Sequence, residues 1–497
     1  MIRRPPRSTL SSSSAASDVY KRQVVIALSV SAFPEGFPVV LMSTLAMGAY
    51  RMAEKNAIVN RMSIIETLGE TTIICSDKTG TITKGEMTSR KIYCDGNIFE
   101  ITGTGYNYSG EINLEKKKAN VNKNIPLKIL LKASALCNDT IIEKTGSDSE
   151  YNIIGTPTEA ALLVASAKGG IFKDDIKSQR IKEVPFSSER KMMSVLSKEK
   201  SGNYVYSKGA PEVLIKKCRF IQKGNGIHSM SSSDRKEIER RIRSMTSASL
   251  RIIMVAYKRY SPEDKIEKDL IFLGIVGMED PPRDEVKDAI KICRTAGVSV
   301  KMITGDSKET ASAISKQIGL DEGGIIEGWQ IDNYTDEELS GAVRNAVIFA
   351  RVRPEHKLRI VRALKKNGHI VTMTGDGVND APALKESHIG VAMGIGGTDV
   401  TREVSDLTLK DDNFATIVSA IKEGRTIFNN IQKFVTYQLS CNYAEIMVIF
   451  LGILIGLPLP LLALQILFMN LVTDNLPAIT LGFNPSSHDV MFMKPRK

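Results

Sequence analysis

Three stretches almost free of charge bound what this chain can be. Residues 24–49 carry one charge, Glu35; residues 434–457 carry one, Glu445; residues 458–483 carry one, Asp474. About 20 apolar residues suffice to cross a bilayer. A single run of this kind also suits a helix buried in a soluble core. Three runs, two of them back to back around Gly456-Leu457-Pro458, predict membrane-spanning helices. The chain-wide mean hydropathy is near zero because the polar block 50–433 dilutes them.

Basic residues set the expected orientation. Arg51 and Lys55 follow the first run, Lys422, Arg425 and Lys433 precede the second, and Lys494, Arg496 and Lys497 follow the third. These ends, and the block 50–433, are expected to face the cytosol. Residues 1–23 conflict with this, since Arg3, Arg4, Arg7, Lys21 and Arg22 precede the first run. This Ser-rich leader lacks an apolar region long enough for a secretory signal. It looks like translated sequencing-adaptor sequence and is set aside as a non-native leader. The chain is expected to be a fragment at both ends.

At 497 residues the chain is long enough for about three domains of roughly 150 residues. Its six Cys contain no C-x-x-C pair, which excludes a disulfide framework or a structural zinc site and suits reduced thiols. A net charge of +11 is mild at this length and calls for no nucleic-acid partner.

The polar block carries phosphate chemistry. A β-rich run, Thr71–Cys75, leads into Ser76-Asp77-Lys78-Thr79-Gly80-Thr81. A second, Val298–Ile303, places Val298, Val300 and Met302 on one face and ends in Thr304-Gly305-Asp306. A third, His369–Met373, ends in Thr374-Gly375-Asp376-Gly377-Val378-Asn379-Asp380. Helical patterns lie between them, over 284–296 and 354–366. This predicts a doubly wound α/β fold with its acids at the carboxyl ends of strands, where such sheets bind ligands. Asp77 is an oxygen nucleophile suited to phosphoryl transfer. A carboxylate attacking a phosphate needs neutralisation, and Mg²⁺ held by Asp77 and Asp376, with a lysine, would supply it. Thr304 and Gly305 offer hydroxyl and amide donors to phosphoryl oxygens.

From residue 24 to 497 the chain resembles the P-type ATPases, and within them the calcium-transporting pumps. The motifs are PEGFP (34–38), DKTGT (77–81), KGAPE (208–212), DPPR (280–283), TGD (304–306), GDGVND (375–380) and NLVTD (470–474). The resemblance implies a haloacid-dehalogenase-like phosphorylation domain over 50–86 and 280–427. It implies an α+β nucleotide-binding domain inserted at 87–279, with transmembrane helices at 24–49, 428–457 (with its stalk) and 458–483 and a cytosolic tail at 484–497. Asp77 would be phosphorylated. The catalytic set would be Asp77, Lys78, Thr79, Thr304, Gly305, Asp306, Lys357, Asp376, Asn379 and Asp380. Asp77, the Thr79 carbonyl and Asp376 would hold Mg²⁺. Soluble hydrolases of this fold carry an acid/base Asp where Thr79 stands, so an aspartyl-phosphate should persist here. The family's actuator domain, with its dephosphorylation loop, is not recognisable.

Within 87–279, Phe186, Lys191, Met193, Lys208, Gly209 and Arg251 are a plausible purine and phosphate pocket. The resemblance adds Glu159 and assigns the set to ATP. The Lys116-Lys117-Lys118 run reads as a solvated loop.

An acid inside the membrane is costly and marks function by default. Pro34 and Pro38 flank Glu35, so the first helix should unwind there and free carbonyls; by resemblance those that bind are Val30, Ser31 and Phe33. Asn442 and Glu445 share a helix face, as do Asn470, Thr473 and Asp474. These hard oxygens suit Ca²⁺. The expected activity is ATP-driven Ca²⁺ transport across a membrane through an aspartyl-phosphate. A Na⁺ or other monovalent-cation pump, or a non-pumping ATP-binding membrane fragment, are the alternatives.

Overall fold

The computed structural model describes residues 8–144, 151–320 and 322–496. Residues 1–7 of the leader and Lys497 of the basic tail lie outside the described residues.

The first apolar stretch forms two helices rather than one. Helix α1 spans Ser8–Ser31 and α2 spans Phe37–Glu54. The break falls at the PEGFP sequence: Pro34 has no N–H to give to Val30, and the Val30 carbonyl instead accepts from the Phe33 amide at 3.2 Å. The part of the leader set aside at 8–23 is the first two thirds of α1.

Eight strands build the sheet that carries the acid turns. They are β1 Ala57–Val59, β2 Ile73–Asp77, β3 Ser299–Ile303, β4 Gly324–Glu327, β5 Ala346–Ala350, β6 Val371–Gly375, β7 Ile389–Met393 and β8 Leu407–Leu409. Their spatial order is β1-β8-β7-β6-β2-β3-β5-β4. All neighbours pair in parallel except the edge strand β1, which runs antiparallel to β8. Two apolar clusters cover the two faces, so these strands are buried on both sides. Val298, Val300 and Met302 share one of these clusters, as the alternation predicts, although Val298 precedes the strand; on the other face Lys301 is as buried as they are. Its ammonium bonds the Val343 carbonyl at 2.9 Å and also the Ala346 carbonyl. The flanking helices run Val286–Thr295 and Pro354–Lys366.

Between β2 and β3 the chain builds a second, 11-stranded sheet from Thr88–Cys94 to Leu270–Glu279. It is antiparallel except where Cys218–Lys223 pairs Leu270–Glu279. Helices Ile125–Leu136 and Pro157–Lys168 cover one face, and Pro211–Lys217 and Ser232–Ser247 the other. Two chain crossings join the sheets. Thr83 bridges Pro282, the Lys84 amide donates to the Pro281 carbonyl and the Arg283 amide to the Ile82 carbonyl, both at 3.0 Å.

Helix α3, Phe414–Leu454, has 41 residues. At 1.5 Å per residue it measures about 60 Å, twice a bilayer core, so its first half packs on the sheet. Buried Arg425 in that half donates to the carbonyls of Gly69, Ala296, Val490 and Met493. The third apolar stretch is not one helix from 458. Pro458 and Pro460 lie in an irregular turn, then α4 covers Ala463–Phe468 and α5 covers Asn475–Gly482. Between α4 and α5 a wide π turn, Met469–Thr473, closes through an Asp474 amide to Met469 carbonyl bond of 2.9 Å. Two continuous segments are long and apolar enough to cross a membrane, Phe414–Leu454 and Ala463–Gly482. Among the described residues the expected first span is not one of them: its apolar run is split between α1 and α2.

Candidate active site

Strand β2 lies between β6 and β3, where the strand order reverses, and Asp77 is its last residue. Open α/β sheets bind ligands at such points. Three turns therefore converge: 77–81 after β2, 304–306 after β3 and 376–380 after β6.

Lys357, on the helix after β5, reaches back to this point. Its ammonium donates to Asp77 Oδ2 at 2.6 Å and lies 2.8 Å from Asp380 Oδ1. Burial alone would lower the Lys357 pKa, but Asp77 and Asp380 outweigh it and hold the ammonium above its ordinary value. The Asp77 amide donates to Thr374 Oγ1 at 2.9 Å, which ties β2 to β6 beside the nucleophile. Asp380 Oδ2 accepts from the amides of Asp376 and Gly377 at 3.3 and 3.4 Å. Gly375 makes this turn possible, since a Cβ there would sit 2.5 Å from Asp380 Cβ. Oxygens of Asp77, Asp376 and Asp380 lie within 4.8 Å of one another. Burial first, then the neighbouring Asp77 and Asp380, push the Asp376 carboxyl above its usual range, with Lys357 opposing. A divalent cation would relieve that crowding, so the donor set fits one.

Lys78 does not join this cluster. Its buried ammonium lies 2.8 Å from Asp306 and 3.8 Å from Asp280. The neutralising lysine is Lys357, although Lys78 is the neighbour in sequence. Thr79 is exposed in an extended conformation, with Gly80 at φ 75°. Thr304 is buried and its Oγ1 accepts from the Asp306 amide at 3.1 Å. Asn379 is exposed on the turn beside Asp380.

The sequence reading passed over Asp280 as a side chain, although it lies in the DPPR motif. Asp280 accepts from Thr83 Oγ1 at 2.5 Å and from the Gly85 amide at 2.9 Å, and so clamps the crossing between the sheets. Thr374 was visible only as part of the turn motif.

In the second sheet, Glu159, Phe186, Lys191, Met193, Lys208, Gly209 and Arg251 line one cavity of about 680 Å³. Lys208 is buried and paired with Glu159. Phe186 is 60% exposed and free to stack on a flat ligand. Arg251 also lines a cleft of about 760 Å³ with Lys78, Thr79, Asp280 and Asp306, between the cavity and the acid turns.

Among the apolar helices, Asn442 Nδ2 donates to the Ser31 carbonyl at 2.9 Å. Asn470 Nδ2 donates to Glu35 Oε2 at 3.0 Å and to the Phe33 carbonyl at 3.4 Å. Both Glu445 oxygens, Asn470 Oδ1 and Gln438 Oε1 are buried with no hydrogen-bond partner among the described residues. All four are acceptors, an arrangement that fits a hard cation. Asp474 is buried, but Thr473 is exposed. The wide π turn over Met469–Thr473 departs from the regular helical spacing expected of Asn470, Thr473 and Asp474. Asp77, Asp376 and Asp380 are the one acid trio within 4.8 Å among the described residues; Glu35, Glu445 and Asp474 are not drawn that close.

Comparison with known proteins places these features. Residues 126–285 match the P-type ATPase cytoplasmic domain N, residues 223–388 the haloacid dehalogenase-like hydrolases, and residues 458–497 the cation-transporting ATPase C-terminus. The chain is 47% identical over 481 residues to a calcium-transporting ATPase of Bacillus subtilis, covering 95% of this chain and 54% of that protein. It is 42% identical over 482 residues to the human calcium-transporting ATPase type 2C member 1, covering 95% and 51%. An endoplasmic reticulum-type calcium-transporting ATPase 3 of Arabidopsis thaliana is 39% identical over 523 residues, covering 96% and 52%. The chain spans about half the length of the curated relatives it matches.

Proposed function

Carrying P-type ATPase domains, the chain belongs to that family, and from that premise we propose that it is the catalytic and part of the ion-binding portion of an ATP-driven Ca²⁺ pump. The observation that carries this reading is the convergence of Asp77, Lys357, Asp376 and Asp380 at the reversal point of the sheet.

In this reading ATP seats its adenine against Phe186 and its phosphates run past Arg251 toward Asp77. An Asp77 oxygen attacks the γ-phosphorus, the bond to the bridging oxygen breaks, ADP leaves, and an aspartyl-phosphate remains. Lys357 offsets the charge gathered as carboxylate meets phosphate, and Thr304 and Gly305 lie on the adjacent turn as donors. Asp77, Asp376 and the Thr79 carbonyl would hold Mg²⁺, which when bound supplies further neutralisation of the phosphate. Thr79 cannot act as general base, which favours a lasting phosphoenzyme.

Glu35, Asn442, Glu445, Asn470, Thr473 and Asp474, with the carbonyls of Val30, Ser31 and Phe33, are the proposed Ca²⁺ ligands. The partnerless Glu445 and Asn470 oxygens support this. The Ser31 and Phe33 carbonyls now accept from asparagine side chains, so a cation would displace amide donors and not water alone. The soluble sheets are assigned to the cytosolic side by the basic flanks.

Labelling with γ-³²P-ATP with and without Ca²⁺, in this chain and its Glu35→Gln variant, tests the reading. The expected result is acid-stable, hydroxylamine-sensitive label that requires Ca²⁺ and is lost in the variant while nucleotide binding is kept. Label that follows Na⁺ instead would favour a monovalent-cation pump. ATP binding without label under any ion would reduce the chain to an ATP-binding membrane protein.

A further inference from the structure

On the face of the second sheet away from the adenine cavity lies another basin of about 640 Å³. It shares no lining residue with that cavity. Its walls carry six cations, Lys216, Lys217, Arg219, Arg235, Lys265 and Lys268, against two acids, Glu267 and Asp269. The acids are already engaged. Glu267 pairs with Arg190 and accepts from Ser194 Oγ at 2.9 Å, and Asp269 lies 3.9 Å from Arg219. Among the described residues, Lys216, Lys217, Lys265 and Lys268 have no acid partner.

The walls are built, not merely charged. Arg235 donates to the Ile215 and Cys218 carbonyls at 3.1 and 2.8 Å, pinning the end of helix Pro211–Lys217 that carries Lys216 and Lys217. Opposite it, buried Lys258 donates to the Lys265 and Lys268 carbonyls at 2.6 and 3.1 Å. These bonds shape the loop, and the Lys258 ammonium lies 3.8 Å from Asp264. Lysines brought round one concavity raise its positive potential, which an anion bound there would offset. The Lys116–Lys118 turn is the contrast: it lines no basin of this kind, and Lys118 pairs with Glu111 at 2.7 Å.

We propose that this basin binds a compact, soluble anion carrying two or more phosphate groups. The volume is that of a small-ligand site. Four lysines lining one concavity exceed what one phosphate can engage, whereas a chain of two or three phosphates can meet them together.

Calorimetry with tripolyphosphate tests this on the whole chain in detergent, in magnesium-free buffer, with a non-hydrolysable ATP analogue saturating the adenine cavity. The expected result is one further binding event that weakens as salt is raised. Its Kd should rise at least tenfold in the Lys216→Ala/Lys217→Ala/Lys265→Ala/Lys268→Ala variant and stay within twofold in a Lys116→Ala/Lys117→Ala control. Acetylation of the unmodified protein gives a second readout that needs no variant: tripolyphosphate should protect Lys216, Lys217, Lys265 and Lys268. Equal affinity in the quadruple variant, equal loss in the control, no protection, or binding only to phosphoinositide vesicles and not to free tripolyphosphate would each overturn the proposal. If the quadruple variant no longer binds the ATP analogue, protection in the unmodified protein decides.

Discussion

Asp77 and Lys357 illustrate what single side chains contribute. One Asp77 oxygen is held by the ammonium at 2.6 Å, and Asp380 holds the same ammonium from the other side. Replacing Asp77 by Asn removes the nucleophile yet keeps the shape, so label should fall to background. Nucleotide affinity should stay within about tenfold, because the adenine cavity is built by other residues. Equilibrium nucleotide titration beside acid-quenched labelling reads both. Lys357→Ala leaves three acids without their cation, and the rate of phosphoenzyme formation should drop by about 10²-fold or more in rapid-quench measurements.

Elements meet most closely where side chains are absent. Gly424 of α3 lies against the helix Ile64–Gly69, and a Cβ at 424 would stand 2.9 Å from the Gly69 amide nitrogen and the Ile65 carbonyl oxygen. Neither is a side chain that can swing away. Gly424→Ala should therefore cost about 1–3 kcal/mol by forcing α3 off the sheet domain, read as a lower midpoint in denaturant. A second element-level device is His388, before β7, whose Nδ1 accepts the Val371 amide at 3.1 Å and so holds the ring neutral. Burial first, then Lys365, lower its pKa, with Glu386 opposing; burial, Lys301 and Arg344 do the same to His369. The unfolded rings take up protons near pH 6.5. This contribution to stability is thus complete above about pH 6.5 and is lost as pH falls through the lower folded values. Melting temperature should decline from pH 7.5 to 5.5, and less steeply in His388→Gln, whose amide oxygen can still accept from Val371.

For the whole molecule, the question is how an adenine cavity in one sheet serves a nucleophile in the other. The chain crosses between them only at 82–85 and 280–283, and Asp280 clamps both crossings through Thr83 and Gly85. Burial first raises its pKa, while Thr83, Lys78 and Gly85 hold it down. Asp280→Ala would leave Lys78 and the Thr83 hydroxyl underpaired and loosen the hinge. The expected outcome is unchanged nucleotide affinity with phosphorylation slowed about tenfold, a barrier change near 1.4 kcal/mol, measured by single-turnover labelling.

The turns 77–81, 304–306 and 374–380 and the three charge-poor stretches were legible in the sequence alone, because turn chemistry and hydropathy are local properties. The break at Pro34 was legible for the same reason: a missing N–H needs no partner to be felt. Which lysine faces Asp77 did not follow from spacing, although the resemblance had set Lys357 among the catalytic residues. Lys78 adjoins it in the chain, but β2 directs that ammonium to Asp306 and Asp280, and Lys357 arrives from 280 positions away because the sheet order seats its helix over the switch point. The wide turn over Met469–Thr473 was not legible either, because spacing alone assumes a regular helix. The basic basin was invisible in the same way. Its lysines come from two segments about fifty residues apart, and only the pairing of strand Cys218–Lys223 with Leu270–Glu279 sets them across one concavity.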